Sequence, residues 1–305
     1  MNELLQKARE LLEKGLIEDA MKVLAELKSL ASTPMGTDFL RAKCFIKMGE
    51  GNEATAREAL KEELRLHPSN TEALSLYESL FPVVNLSAYS HSPEFQEIAS
   101  ELSFHSMMPM RHLLNLFEQA KDVLQKNVPG NFVECGVAAG GSSALLGALI
   151  GKYDCNNRHC YSFDTYCGMP DPSDKDQING KDAQSTYWGK GTCAAPLESL
   201  HEACRKVEAE SYVSPIQGLF QKTLPENRDK IGKIAFLHID CDWYESTVCV
   251  LENLFPLLSS GAKVIIDDYD YWDGVQKAYS EYCTSYGLNY PIVKLTPTTA
   301  LIEIP

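Results

Sequence analysis

The sequence predicts a doubly wound α/β domain with a mostly parallel sheet, preceded by a small all-α repeat segment. Three observations carry this expectation. Two apolar runs, Ile234 to Asp240 and Ala262 to Asp268, each stop on acid and flank a stretch of helical spacing from Glu245 to Leu258. A strand, a helix and a strand in that order make the two strands parallel. Upstream, Phe132 to Cys135 passes through a glycine loop into a helix reaching Ile150, and then into a second strand, Cys160 to Phe163. In the N-terminal third, Ala8, Gly15, Ala20 and Pro34 recur as Ala42, Gly49, Ala54 and Pro68, each displaced by 34 residues.

Small residues at these positions let paired helices approach closely, and each proline marks the exit from a second helix. Period and residue types resemble the tetratricopeptide repeat over roughly Met1 to Phe81, with a third helix from Thr71 to Leu80. Residues 1–82 are therefore expected to form a helical repeat domain. Two repeats fall short of the usual minimum for a free-standing solenoid. The segment is thus expected to lean on the following domain or on another subunit, as a homo-oligomer or through a protein partner. Residues 83–127 are expected to be a linker and helices covering the active site. Within them Ser-Pro and Met-Met-Pro punctuation precedes an amphipathic helix, Arg111 to Lys126, with Leu113, Leu114, Leu116, Phe117, Ala120, Val123 and Leu124 on one face. The catalytic domain is expected over 128–305.

Composition narrows the partners. The net charge of −14 leaves no basic face for phosphate neutralisation, so no nucleic-acid partner is expected. No apolar run approaches the ~20 residues of a membrane span. The start, Met1 to Lys7, is amphipathic and lacks the apolar core of a secretory signal, and the ten cysteines show no C-x-x-C spacing. These features point to a reduced, cytoplasmic protein.

The acidic strand ends carry the chemistry. Parallel neighbours lie ~4.8 Å apart, which brings Asp240 together with Asp267 and Asp268 at the carboxyl edge of the sheet, where open α/β sheets bind ligands. Carboxylates this close repel, so one protonates or a cation sits between them, and three hard oxygen donors suit Mg²⁺. Capping of the following turns is the plain structural alternative.

The loop Gly136 to Gly141 opens a helix whose amino end favours a negative group such as a carboxylate. It does not fit the dinucleotide fingerprint, because three residues separate Gly136 from Gly140. Asp164, ending the second strand, can grip a ribose diol. Strand, glycine loop, helix, strand and acid together suit a nucleoside ligand. If the fourth strand lies beside the first, Asp240 ends next to Glu134, and metal and cofactor share one cleft.

Val133-Glu-Cys-Gly-Val137, Phe163-Asp-Thr-Tyr-Cys-Gly-Met-Pro170, Gln217-Gly-Leu-Phe220, Thr223-Leu-Pro225, Asp240-Cys-Asp-Trp-Tyr-Glu-Ser-Thr247 and Asp267-Asp-Tyr269 resemble, in order, the blocks of the macrocin O-methyltransferase family. The glycine loop is also similar to that of catechol O-methyltransferase. The resemblance implies a class I methyltransferase fold and a metal-dependent enzyme that uses S-adenosylmethionine to methylate sugar hydroxyls of natural products. It implies that Glu134, Gly136, Gly140 and Ser142 line the methionine part of the cofactor, that Asp164 takes the ribose, and that Gly218 joins the cofactor set. Asp240, Asp267 and Asp268 would hold Mg²⁺.

Asp240 is the first choice for proton acceptor. Asp242 and His238 are alternatives, since strand alternation points all three to one side. Tyr269, Tyr271 and Trp272 either wall the acceptor site or belong to the core. The polar segment Asp171 to Pro196, with Tyr187 and Trp188 embedded, is expected to be a mobile lid. Other classes are an interaction protein carrying an inactive methyltransferase fold and a nicotinamide oxidoreductase. A catechol or a carrier-bound intermediate is the alternative acceptor.

Overall fold

The computed structural model describes residues 2–28, 30, 33–49, 52–80, 92–154, 156–186 and 188–305. The chain divides into two compact units, Met1–Pro93 and Glu94–Pro305.

The first unit is all-helical, with α1 (Asn2–Glu13), α2 (Ile17–Lys28), α3 (Thr37–Met48), α4 (Glu53–Leu66) and α5 (Thr71–Leu80). α1 packs on α2, and α3 on α4. Ala8, Ala20 and Ala42 have no exposed surface, as expected where small side chains let helices meet; the side chain of Ala54 lies outside the described residues. Leu24, Leu27, Leu40 and Cys44 fill the space between the first three helices. Glu63 supplies a device the repeat pattern does not reveal. It is buried, and its carboxylate accepts the backbone N–H groups of Gly36, Asp38 and Phe39 at 2.6, 3.1 and 3.2 Å. Those donors have no partner inside α3, and the negative charge complements the helix amino end.

The chain continues through α6 (Pro93–Glu101), α7 (Met110–Gln125), β1 (Asn131–Cys135), α8 (Gly141–Tyr153), β2 (Cys160–Asp164), β3 (Gln177–Ile178) and β4 (Lys181–Asp182). Then come α9 (Leu197–Lys206), β5 (Val213–Gln217), α10 (Phe220–Ile231), β6 (Ile234–Ile239), α11 (Tyr244–Leu254), β7 (Leu258–Ile266), α12 (Asp273–Tyr286), β8 (Ile292–Lys294) and β9 (Ala300–Glu303). Seven strands form one sheet in the order β5-β2-β1-β6-β7-β9-β8. β5, β2, β1, β6 and β7 run parallel, and β9 is antiparallel to both its neighbours. This is the doubly wound, mostly parallel sheet that the sequence predicts, and β6 lies beside β1 as expected.

Two expectations need correction. The helix expected to reach Leu258 ends at Leu254, where Phe255–Leu257 makes a 3₁₀ turn. Pro256 has no N–H to continue the α-helical ladder, and its ring clashes with the preceding turn. β7 accordingly starts at Leu258, not Ala262, and Gly261 falls inside it. This glycine lies where the register against β6 breaks, between the pairs Ile234–Leu258 and Phe236–Lys263, a bulge that absorbs the extra residues.

The sheet core joins Val133, Cys135, Leu237, Ile239, Val264 and Ile266 to α11 through Leu251 and Leu254. Trp243 and Trp272 meet edge-on at 5.0 Å beneath the acidic strand ends. Of the aromatic cluster after β7, Tyr269 and Trp272 belong to this core, while Tyr271 is exposed.

Candidate active site at the carboxyl edge of the sheet

The chain leaves β1 at Gly136, whose N–H donates to the Phe163 carbonyl at 3.0 Å. Its φ of +91° lies in the left-handed region, where a side chain is strained. Asp240 crosses directly over it: the Asp240 N–H donates to Cys135 O at 2.9 Å. Farther along, Gly140 caps α8 with a φ of +95°, and a Cβ there would stand 2.6 Å from Leu200 Cα. Behind the loop, Ser199 Oγ donates to Ala139 O at 2.9 Å.

Asp164 binds this loop from the end of β2. Its Oδ2 accepts the N–H groups of Val137 and Ala138 at 2.7 and 3.0 Å, and its Oδ1 accepts that of Tyr166 at 2.7 Å. The Gly218 N–H donates to the Asp164 carbonyl at 2.9 Å. Thus Asp164 ties Gly218 to the loop that Gly136 opens, and Gly136 itself is bonded to the neighbouring Phe163, so hydrogen bonds run across the ends of β1, β2 and β5. Ser142 sits buried in the first turn of α8.

Glu134 is placed differently from the expectation of a residue lining a cleft. It is fully buried, and both its oxygens are engaged inside the protein, one by Ser143 Oγ and one by His238 Nδ1 at 2.7 Å. Ser143, not singled out by the sequence, also donates to Ser162 Oγ at 2.7 Å. Burial opposes charge on His238, but the hydrogen bond to Glu134 and the nearby Asp240 and Asp267 hold its pKa up at about 9.

The acidic residues divide into two groups. A ring nitrogen of His238 and carboxylate oxygens of Asp240 and Asp267 all lie within 4.8 Å of one another. Asp268, the third member of the expected trio, stands outside this group but close enough to feel the charges of Asp267 and Asp240. Successive residues at a strand end project to opposite sides, and Asp268 turns away with a φ of +53°. It stands by Asp242, which has a φ of +59° and accepts Trp272 Nε1 at 3.0 Å.

Burial followed by the charge of Asp267 pushes the Asp240 carboxyl well above the usual carboxylate range. Burial, then Asp242 and Asp267, does the same to Asp268. Asp267 goes the other way. Burial opposes its ionisation, but His112 Nδ1 at 3.1 Å and Thr299 Oγ1 at 2.6 Å stabilise the charged form and lower its pKa. One fixed carboxylate, one that burial disfavours, and a buried ring nitrogen with no hydrogen-bond partner make a donor set that fits a divalent cation. Neither His112 nor Thr299 carries a local sequence signal, since they come from α7 and from the loop before β9.

The expected lid carries structure of its own, the β3–β4 hairpin. It is pinned at its base. Asp176 is buried and accepts Tyr244 N and Ser173 N, both at 2.7 Å, while Trp243 Nε1 donates to Pro170 O at 3.0 Å. Tyr187 lies outside the described residues.

Residues 96–302 match the family described as macrocin-O-methyltransferase (TylF). The chain is 33% identical over 195 residues to the 8-demethyl-8-(2,3-dimethoxy-alpha-L-rhamnosyl)-tetracenomycin-C 4'-O-methyltransferase of Streptomyces olivaceus, a match covering 64% of this chain and 73% of that protein. It is 31% identical over 185 residues to the demethyldecarbamoylnovobiocin O-methyltransferase of Streptomyces niveus, covering 60% and 70%. Among solved structures, the O-methyltransferase NovP superposes with a TM-score of 0.59 at 28% identity, covering 66% of this chain and 82% of that one. The calicheamicin methyltransferase CalS11 superposes with a TM-score of 0.56 at 25% identity, covering 77% and 91%.

Proposed function

The chain belongs to the macrocin-O-methyltransferase family and is an S-adenosylmethionine-dependent O-methyltransferase, and we propose that it methylates a sugar hydroxyl with a vicinal neighbour on a natural product. One observation carries this reading: the cluster of Asp240 and Asp267 shares an edge with the loop that Gly136 opens, because the backbone of Asp240 lies against Gly136. Asp164, Gly136, Gly140, Ser142 and Gly218 hold S-adenosylmethionine, and Glu134 acts from behind by fixing the start of α8 through Ser143. Asp240, Asp267 and Asp268 hold a divalent cation such as Mg²⁺, with Asp268 approaching from beside Asp242. When bound, that cation supplies Lewis-acid polarisation and chelation of two neighbouring hydroxyls.

The acceptor oxygen must stand in line behind the methyl carbon, and such alignment contributes up to ~7–11 kcal/mol in well-oriented pairs. As the C–O bond forms and the S–C bond breaks, the hydroxyl proton passes to Asp240. A second reading gives the proton to Asp242. It is favoured by one observation: Asp242 lies outside the cation-capable cluster, so its oxygens are not committed there. Residues 1–82 are a tetratricopeptide-like docking surface for a second copy of the chain, and 128–305 are the catalytic domain, with the helices of 94–127 in the same compact unit; the linker expected at 83–91 lies outside the described residues.

Mass spectrometry of glycoside acceptors incubated with labelled S-adenosylmethionine tests the proposal. One methyl group is expected on a glycoside with vicinal hydroxyls. EDTA should stop turnover yet leave S-adenosylmethionine binding, measured by calorimetry, largely intact. Full activity in metal-free buffer would remove the cation. Transfer to catechols but to no glycoside would remove the sugar.

A further inference from the structure

We propose that Trp188 and Tyr271 form an aromatic subsite that stacks an apolar ring attached to the acceptor sugar, and so selects the glycoside of an apolar aglycone over a sugar nucleotide. The inference rests on the sugar-methylating reading above and deepens it.

The turn after β7 supplies the first ring. The Tyr271 N–H donates to Asp268 O at 3.0 Å, so Tyr271 stands one tight turn beyond the acidic strand end. Its side chain is exposed, while its neighbours Tyr269 and Trp272 are buried. The ring stands edge-on to Trp272, at 5.3 Å and 89°. Trp272 is itself held by Trp243 at 5.0 Å and by the Asp242 carboxylate at 3.0 Å. Tyr271 therefore presents an aromatic face on a rigid support.

Trp188 supplies the second ring from the polar segment after Pro170. That segment is fastened on both sides of it. Before Trp188, Asp176 is buried against the Tyr244 N–H at 2.7 Å, and the Trp188 N–H donates to Thr186 Oγ1 at 3.1 Å. Beyond it, the Thr192 N–H donates to Gly189 O at 3.0 Å, closing a turn. Met169 grips this turn: its N–H donates to Thr192 O at 2.8 Å, and its carbonyl accepts the Gly191 N–H at 2.9 Å. Trp188 is half-buried against the sheet core. Its indole makes hydrogen-bonding contact with the Tyr271 hydroxyl, which also stands near the charges of Asp268 and Asp242. An indole N–H is a donor only, so Tyr271 accepts from it and keeps its own O–H for a ligand oxygen.

Charge decides which ligand suits the pair. Lys190 is already paired with Asp171 at 2.7 Å, and Lys294 with Asp270. The lysines flanking the two aromatics are thus committed to carboxylates, and a diphosphate beside Tyr271 would meet Asp268 and Asp242. An apolar ring meets no such repulsion and covers two aromatic side chains.

The test uses the full-length protein with S-adenosylhomocysteine and Mg²⁺, titrated by calorimetry with three forms of one hexopyranose that has vicinal hydroxyls: its methyl glycoside, its 2-naphthyl glycoside and its nucleoside diphosphate ester. The naphthyl glycoside should bind at least about tenfold more tightly than either of the others, the gain expected of two aromatic contacts. Tyr271→Ala and Trp188→Ala should each bring the naphthyl and methyl glycosides to within about threefold of one another. Tyr271 is exposed, so its variant decides the matter even where Trp188→Ala fails to fold. Equal affinity for the methyl and naphthyl glycosides, a preference that survives Tyr271→Ala, or tighter binding of the nucleotide ester would overturn the subsite and leave sugar methylation standing. A naphthyl preference that Tyr271→Ala removes, with no methyl passed from S-adenosylmethionine to any of the three, would uphold the subsite and overturn the sugar as acceptor. Binding of none of the three would overturn both.

Discussion

A Cβ at Gly136 would lie 1.7 Å from the carbonyl oxygen of Asp240. The residue that opens the glycine loop after β1 and the residue that begins the acidic cluster are therefore packed backbone to backbone. Neither the loop nor the end of β6 can shift without moving the other.

Gly136→Ala is expected to damage both halves of the site at once. The left-handed backbone costs an alanine about 1–2 kcal/mol, before any separation of β1 from β6 is counted. The urea midpoint should fall, and calorimetry should show S-adenosylmethionine binding lost. A variant with wild-type midpoint and affinity would show that the two strand ends move independently.

Asp164→Ala should weaken S-adenosylmethionine by about 1.5–3 kcal/mol, the range for hydrogen bonds to a charged group. The side chain also holds the N–H groups of Val137 and Ala138, so the loop loses its anchor together with the proposed ribose contact. Calorimetric titration measures this directly. Unchanged affinity would move the ribose contact to another residue.

Glu94 gives the second unit an acid-sensitive anchor. Burial would raise its pKa, but Lys121 at 2.6 Å, Lys152 at 2.8 Å and Tyr153 pull it down to about 2. The folded value lies below the unfolded one of about 4.3. The contribution is therefore complete above that value and disappears as pH falls through about 2. Discounted for solvent screening, it amounts to about 1–2 kcal/mol. Glu94→Gln should lower the urea midpoint at pH 7 and lose most of that difference by pH 2.5. An equal difference at both pH values would contradict the assignment.

A chain beginning at Glu94 should retain the chemistry and lose assembly, if the helical segment serves to bind a second copy. Light scattering should show a lower mass than the full-length protein, or aggregation, while the soluble fraction still methylates a small free acceptor. A truncated chain with the full-length oligomeric state and full activity would end that role for the helices.

Much of this architecture is local in origin. The helix periods, the apolar runs of β1, β6 and β7, the glycines after β1 and the acids that end β2, β6 and β7 are all properties of short segments, and they set the element order and the parallel pairing. The adjacency of β1 and β6 also follows from doubly wound topology. That adjacency places Glu134 opposite His238, a pairing the observed register shows. Tertiary structure alone decided what those side chains do. Glu134 turns to His238 and Ser143 and not to a cleft, because buried polar groups bind whichever partners the packed sheet and helix bring near. Asp268 stands beside Asp242 because a left-handed turn re-aims it, and a turn conformation at a non-glycine residue has no reliable signature in sequence. His112, 155 residues from Asp267, enters because α7 packs over the edge of the sheet, and no spacing rule spans such a distance. Element order is written in periodicity; the ligand set depends on side-chain directions that exist only once the sheet, the covering helix and the last strand have packed together.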